Sequence, residues 1–441
     1  MRDQRLCCIA FTICALAMLG KDNIHAADSR PNVVFILCDD LGYGDLSCYG
    51  APDIRTPHLD QLARDGVRLT NCYSNGSVCT PTRAALMTGR YQQRVGLEWA
   101  IGPGLKEPGL PVAETSLARM LRDNGYATGL VGKWHLGYQP EFSPNAHGFD
   151  YFFGIKSGNV DHYSHREING EADLYENDQV VERAGYMTDL ITERAASFID
   201  NHGAVPFFLY VAYNTVHWPF QPPGKPDDIR SRETWFQGTR TDYARMVEHM
   251  DQSVGAILQA LDRQGLTERT LVVFTSDNGG ERLSRMEPLA HRKGTLWEGG
   301  IRVPGIVRWP GRVPAEQESD QPVITMDFTA SILAATGTKP SPNRPLDGID
   351  VLPILAGEQS LVDRAFFWRI DRADRKQQAV RVGNWKYLRD GGIELLFDLS
   401  QDAGERHDLA FAQPERLNQL RQLLLEWGQE MDREKPPFSV K

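Results

Sequence analysis

Cysteine is scarce in this sequence. Of seven in 441 residues, Cys7, Cys8 and Cys14 lie near the start, which leaves Cys38, Cys48, Cys72 and Cys79 for the rest of the chain. No two of these four have zinc-site spacing, and four thiols in so long a chain do not make a disulfide framework. A Cys48–Cys72 bond is left open, since connectivity does not follow from spacing. Positive charge is also in deficit: 48 Lys and Arg face 58 Asp and Glu, a formal net charge of −10. That balance excludes a general nucleic-acid binder, so no nucleic-acid partner is expected. A local cluster of Arg, Lys and His can still serve an anionic substrate. Internal repeats and low-complexity tracts are absent. The apolar run over residues 6–19 falls short of the roughly 20 residues that span a bilayer. It follows Arg2 and Arg5 and precedes Ile24-His25-Ala26-Ala27, the layout of an export signal over residues 1–27. An exported chain, periplasmic or secreted, is therefore expected, with no stable membrane insertion once mature.

What is present describes an ordinary globular protein: 41% hydrophobic and 24% charged residues. The length predicts one large domain and a smaller one. Residues 32–38 form a continuous apolar run, the pattern of a strand covered on both faces. Thr56-Pro57 opens a helix that Gly66 closes, and a second helix follows Glu114-Thr115 and stops at Asn124-Gly125. A strand follows over 127–131; then a helix over 189–201 leads to a strand over 207–212, and a helix over 243–263 to one over 271–275. Apolar strands alternating with helices predict an α/β fold with a mostly parallel, mixed central sheet flanked by helices. Prolines and glycines cluster between Gly337 and Pro353. Beyond them, apolar segments over 379–382 and 385–388 flank Gly383-Asn384, a hairpin signal, and another strand is expected over 394–399. Leu417, Leu420, Leu424 and Trp427 share one helix face. The expected division is a catalytic domain over 28–355 and a small C-terminal domain over 356–441, with an antiparallel sheet and one packed helix.

The chemistry is concentrated where the buried strands end, which is where ligands bind in open α/β sheets. One strand runs into Asp39-Asp40, another into Asp277-Asn278, a third into Lys133 and His135, and a fourth into His217. Adjacent carboxylates at the mouth of a buried strand repel unless a cation or proton intervenes. Asp39, Asp40, Asp277 and Asn278 form an all-oxygen set, which suits calcium or magnesium over zinc. Pro81 marks the first turn of a helix and places Cys79 just before it, where free amide hydrogens favour an anion. Arg83 lies about one turn in, on the same side.

Cys79-Thr80-Pro81-Thr82-Arg83, with the trailing Ala84-Ala85-Leu86-Met87-Thr88-Gly89-Arg90, resembles the signature of the formylglycine-dependent sulfatases of the alkaline phosphatase superfamily. The likeness extends to Asp39-Asp40-Leu41-Gly42-Tyr43-Gly44-Asp45, Gly132-Lys133-Trp134-His135-Leu136-Gly137 and Ser276-Asp277-Asn278-Gly279-Gly280. It continues through Lys293-Gly294-Thr295, Glu298-Gly299-Gly300-Ile301-Arg302 and the C-terminal Leu396-Phe397-Asp398-Leu399 and His407-Asp408-Leu409. These segments occur in family order, and they are similar to those of arylsulfatases and N-acetylgalactosamine-6-sulfatases.

The resemblance implies that a separate maturation enzyme oxidises Cys79 to formylglycine, whose hydrate is the nucleophile. It also implies that one calcium ion sits on Asp39, Asp40, Asp277, Asn278 and the modified residue 79. One hydroxyl of the hydrate attacks sulfur; loss of the other's proton then expels sulfate. Arg83 and Lys133 are expected to balance the carboxylates, His135 to take the proton in the release step, and His217 and Lys293 to face the leaving oxygen. The expected activity is hydrolysis of sulfate esters, chiefly of O-sulfated carbohydrates. A phosphonate or phosphate-ester hydrolase of the same superfamily and a non-catalytic sulfated-glycan binder are the alternatives. The segment 156–177, with Asp161, His162, Tyr163 and Arg166, and the pair Glu98-Trp99 are candidate sugar contacts. Asn75-Gly76-Ser77 fits a glycosylation acceptor but lies so near Cys79 that it is expected to stay unmodified.

Overall fold

The computed structural model describes residues 30–102, 108–433, 436 and 440. The export signal expected over residues 1–27 lies outside them. Among the described residues, no helix is long and apolar enough to cross a membrane.

Alternation within one strand explains the layered body. In Asn32–Cys38 every residue is buried. Val33, Phe35 and Leu37 face one core while Val34, Ile36 and Cys38 face another, as a period of two requires of a sheet with helices on both sides. The first core is closed by the helices Cys79–Thr88, Leu117–Asp123 and Thr325–Ala335. The second is closed by Pro57–Arg64, Met187–His202 and Arg240–Arg263. Each fully buried Val, Leu, Ile or Phe contributes about 1.5–3 kcal/mol, so a strand buried on both faces pins the sheet at its centre.

The central sheet is mixed and eleven-stranded. Its middle consists of five neighbouring parallel strands: Thr270–Ser276, Asn32–Cys38, Phe207–Ala212, Ala127–Lys133 and Tyr151–Ile155. Arg302–Arg308 joins antiparallel between Thr270–Ser276 and Val67–Tyr73. The register levels the ends of the five strands: Cys38 pairs with Ser276, Leu37 and Gly132 with Ala212, and Lys133 with Ile155. All five therefore release their chains along one rim. Gly132 makes this possible locally. At φ +117° it occupies backbone space that L side chains rarely adopt, and a Cβ there would lie 1.9 Å from the Ala212 carbonyl oxygen.

The second sheet has four antiparallel strands in sequence order, Ala365–Asp371, Lys376–Val382, Trp385–Asp390 and Ile393–Asp398. The helix Pro414–Arg433 packs on it through Leu420, Leu424, Trp427 and Met431, with Leu417 half-buried beside them. The resulting core also takes in Tyr73, Tyr91, Leu296, Ile301 and Met326 from the large body, so the two sheets share one continuous apolar contact.

Several local expectations need correction. Cys79 is the first residue of its helix, not the residue before it. Lys133 is the last residue of its strand. Thr56 stands at the helix N-cap, yet its hydroxyl accepts from Ser47 N at 2.9 Å and does not cap the helix. Cys48 and Cys72 are separate free thiols, as are Cys38 and Cys79; the Cys72 sulfur sits 3.7 Å from Thr275 Oγ1.

Candidate active site

At the rim, three carboxylates meet three cations one for one. Lys133 Nζ donates to Asp39 Oδ2 at 2.6 Å, Lys293 Nζ lies 2.6 Å from Asp40 Oδ1, and Arg83 Nη2 lies 2.8 Å from Asp277 Oδ2. Strand ends supply Asp39, Asp40, Lys133 and Asp277; the helix that begins at Cys79 supplies Arg83 from its second turn; the loop after Gly280 supplies Lys293. Charges this deeply buried need such partners, since removing an ion from water costs several kcal/mol.

Cys79 sits among them with 2% of its surface exposed. Its thiol donates to Asp39 Oδ1 at 3.5 Å, and Lys293 Nζ lies 3.8 Å from its sulfur. Arg83, one turn further on, also donates through Nη1 to the Lys133 carbonyl at 2.8 Å. Asn278 Nδ2 donates to Asp40 Oδ1 at 2.7 Å, while its own Oδ1 is buried and has no partner. Asp277 Oδ1 accepts from Asp40 N at 3.5 Å. His217 Nε2 approaches Asp40 Oδ2 to 3.6 Å.

The other residues expected at the site meet here, and His135 lies within charge range of Lys133, Arg83 and His217, its Nε2 2.9 Å from the Ile101 carbonyl. Thr80, next to Cys79, donates from its hydroxyl to the His135 carbonyl at 3.0 Å. Two site residues hold left-handed backbone, Asp40 at φ 62° and His135 at φ 55°. That conformation costs about 1–2 kcal/mol per residue and is tolerated where the surroundings enforce it.

Among the described residues, Asp39, Asp40, Cys79 and His217 each offer a candidate metal-binding atom, all within 4.8 Å of one another. This group overlaps the expected ligand set but brings in His217, while Asp277 is drawn toward Arg83. The orphaned Asn278 Oδ1 and the carboxylates of Asp39 and Asp40 are hard oxygen donors that fit an ion such as calcium.

Electrostatics divide these groups. Burial pushes Asp39 up, but Lys133, then Arg83 and Lys293, outweigh it and hold the carboxyl below its usual range. Asp40 and Asp277 are raised, first by burial and then by neighbouring carboxylates, against the pull of Lys293 on the one and Arg83 on the other. Burial and the charge of Asp39 push the Cys79 thiol up to about 12, so the unmodified sulfur is protonated and a weak nucleophile at neutral pH. Burial holds His135 and His217 neutral, helped by Lys133 and Lys293.

Asp161, His162 and Glu98, three of the candidate sugar contacts, are engaged within the protein. Asp161 accepts from Ser164 N and Arg230 N, both at 2.7 Å, and from Gln221 Nε2 at 2.8 Å. His162 is buried, its ring stacked on Tyr186. Glu98 pairs with Arg369 of the second sheet at 2.8 Å, and Asn75 is buried against Met326. Sequence reasoning missed Asn159, which bonds His217, and Tyr210, whose hydroxyl lies 3.4 Å from Arg83. Reading the apolar run Tyr151–Ile155 as a fifth strand would have put Asn159 among the strand-end residues.

Oxygen donors and fixed cations at the carboxyl ends of parallel strands define an enzyme that handles an anionic ester. A family model described as Sulfatase matches residues 31–338, and one described as N-sulphoglucosamine sulphohydrolase, C-terminal, matches residues 290–430. The chain is 33% identical to N-acetylgalactosamine-6-sulfatase of Canis lupus familiaris, over 92% of this chain and 87% of that one. It is 36% identical to arylsulfatase A of Homo sapiens, over 90% and 87%. The crystal structure of Ps i-CgsB in complex with k-i-k-neocarrahexaose is 31% identical, with a TM-score of 0.85 over 93% of this chain and 95% of that one. Phosphonate monoester hydrolase of Agrobacterium radiobacter is alike in fold alone, with a TM-score of 0.68 and 21% identity over 91% and 96%. The chain belongs to the sulfatase family and is a sulfuric ester hydrolase on an alkaline-phosphatase-like fold.

Proposed function

We propose that this enzyme releases inorganic sulfate from O-sulfated carbohydrates, using residue 79 in its formylglycine form and one calcium ion. The carrying observation is the three-for-three pairing of carboxylates and cations around a buried Cys79 whose thiol is too basic to act. The glycan reading draws on relatives that include an N-acetylgalactosamine-6-sulfatase and a structure holding a neocarrahexaose.

Asp39, Asp40, Asp277 and Asn278 would hold the ion together with residue 79; when present, the two groups supply a nucleophilic hydroxyl and fixed positive charge. The pairs are already neutral by themselves, so a divalent ion leaves an excess of two positive charges for the anionic ester. Arg83, Lys133 and Lys293 hold this field without reorganising during reaction. The bond that breaks joins sulfur to the sugar oxygen, which leaves as an alcohol after taking a proton; water supplies the oxygen that departs with sulfate. His217 and Lys293 serve the leaving oxygen. The tautomer of His135 fits a proton acceptor: the Ile101 carbonyl can only accept, so Nε2 carries the hydrogen, and Nδ1, buried without a partner, keeps its lone pair.

The division into a catalytic unit over 28–355 and a smaller unit over 356–441 belongs to this reading. It is supported by Leu355 lying in the large core and Phe366 and Trp368 in the small one. So does export by residues 1–27, which would bring the chain to extracellular or periplasmic sulfated glycans. A formylglycine-generating maturation enzyme is then the one partner required.

The test combines two measurements on purified enzyme. Mass spectrometry of the peptide around residue 79 should show a species lighter than cysteine, and that preparation should release sulfate from sulfated oligosaccharides. Release of phosphate or phosphonate in preference to sulfate, or glycan binding without sulfate release, would overturn the proposal.

A further inference from the structure

A sulfate ester seated at the charged rim still has to place its carbon skeleton, and the groups beside the leaving oxygen decide where. Lys293 Nζ lies 2.6 Å from Asp40 Oδ1 and 3.8 Å from the Cys79 sulfur. The same ammonium stands over the indole of Trp218, 5.0 Å from the ring centroid. The imidazole of His217 lies against that indole too, with centroids 4.0 Å apart. The two side chains assigned to the leaving oxygen therefore share one neighbour, and it is aromatic.

Trp218 is half-buried and packs in part on the second core. Phe236 continues the surface outward: its ring centroid is 5.4 Å from that of Trp218, and 53% of the residue is exposed. The preceding Trp235 is buried, so this loop sends one aromatic ring inward and leaves the next in water. Phe236 is nonetheless anchored. Arg282, from the loop that also carries Lys293, donates through Nη2 to the Phe236 carbonyl and holds its guanidinium 5.2 Å over Phe220. The chain closes on Phe220 again at Gly238, where a Cβ would come within 2.5 Å of the phenylalanine Cβ. A fixed apolar surface beside converging charged groups is the make-up of a ligand site.

The occupant follows from its chemistry. Sulfate takes the cations, and what hangs from it meets the electron-rich faces of two aromatic rings, which attract C–H groups. A pyranose ring offers such groups on one side and keeps its hydroxyls in water on the other. We propose that Trp218 and Phe236 form an aromatic platform that receives the C–H face of the sugar bearing the sulfate, and so select carbohydrate esters. Trp218 takes the sulfated ring, and Phe236 takes the part of the carbohydrate further from residue 79. The platform rests on the proposed function for its substrate class.

Saturation-transfer NMR with unsulfated methyl β-galactopyranoside, whose ring hydrogens gather on one face, tests the surface apart from sulfate chemistry. Those hydrogens should receive saturation from the mature enzyme, lose most of it in Phe236→Ala and keep it in Phe236→Tyr. Equal transfer in the unaltered enzyme and Phe236→Ala, or none in either, overturns the platform. Kinetics test its use in turnover. For the sulfated oligosaccharides that the enzyme cleaves, Phe236→Ala should raise KM about tenfold with kcat nearly constant. The rise should be several times smaller for 2-hydroxyethyl sulfate, an alkyl ester without a ring; an equal rise for both overturns the platform. If no carbohydrate sulfate is cleaved, the proposed function fails, and the galactoside spectra alone decide whether the surface binds sugar. A concentration-dependent dimer that Phe236→Ala disperses would assign the surface to a second copy of the chain and overturn the platform.

Discussion

Arg83 holds Asp277 through two nitrogens that converge on one oxygen: Nε is 3.0 Å and Nη2 2.8 Å from Oδ2. Neither side chain is exposed to solvent. The remaining nitrogen reaches the Lys133 carbonyl, so one planar guanidinium ties the helix to two strand ends.

A lysine at position 83 cannot make that three-way contact. Arg83→Lys should lower kcat/KM by about 100-fold or more, in line with removal of a preorganised electrostatic group. Arg83→Met, which leaves Asp277 buried and unpaired, should destabilise the fold by about 3–5 kcal/mol. Sulfate release and urea unfolding would read the two effects.

Removing divalent ions with a chelator should abolish sulfate release and lower the melting temperature, since Asn278 Oδ1 and the acidic cluster lose their counterpart. Added calcium should restore both, and elemental analysis of the restored enzyme should find one ion per chain. Full activity after exhaustive chelation would contradict the metal assignment.

A second buried charge group joins the two sheets. Lys386 Nζ, with no exposed side-chain surface, lies 2.9 Å from Glu298 Oε1 and 2.8 Å from Glu405 Oε1. Lys386→Met should leave two carboxylates facing each other in the interior and cost about 3–5 kcal/mol. Adding Glu405→Gln should recover part of the loss. A double variant no more stable in denaturant than Lys386→Met would refute this account.

Acid should weaken the fold through His147. Burial pushes its imidazole down from 6.5 to about 4, against a bond from its ring to the Leu110 carbonyl. A depressed folded-state value means that the unfolded chain binds the proton first. The contribution is therefore complete above pH 6.5 and is lost as pH falls toward 4, on the order of 3 kcal/mol in all. His147→Gln should flatten unfolding free energy against pH across that window.

Much of this arrangement is legible in the sequence because the sheet converts order along the chain into position. Apolar runs mark the strands, and the residue after each run lands on the rim; Asp39, Asp40, Asp277 and His217 follow from that rule alone. Arg83 is read from helical spacing after Cys79. What stays hidden depends on contacts between distant segments. Glu298, Lys386 and Glu405 look like surface charges until folding stacks them. Asn159 lies in a polar stretch whose only signal is the short strand before it. Cys48 and Cys72 show the limit of counting: they remain apart because Cys72 is committed to the sheet interior beside Thr275.

The depth of residue 79 carries a consequence for biogenesis. Its sulfur is walled in by Asp39, Lys293 and a helix whose every residue is buried. On the proposed function, a catalyst that oxidises this side chain could not reach it once the polypeptide has collapsed, so the modification would have to be installed on a nascent or newly translocated strand. Production of working enzyme becomes a race between processing and collapse. A host that loses the race yields protein with native stability and no turnover.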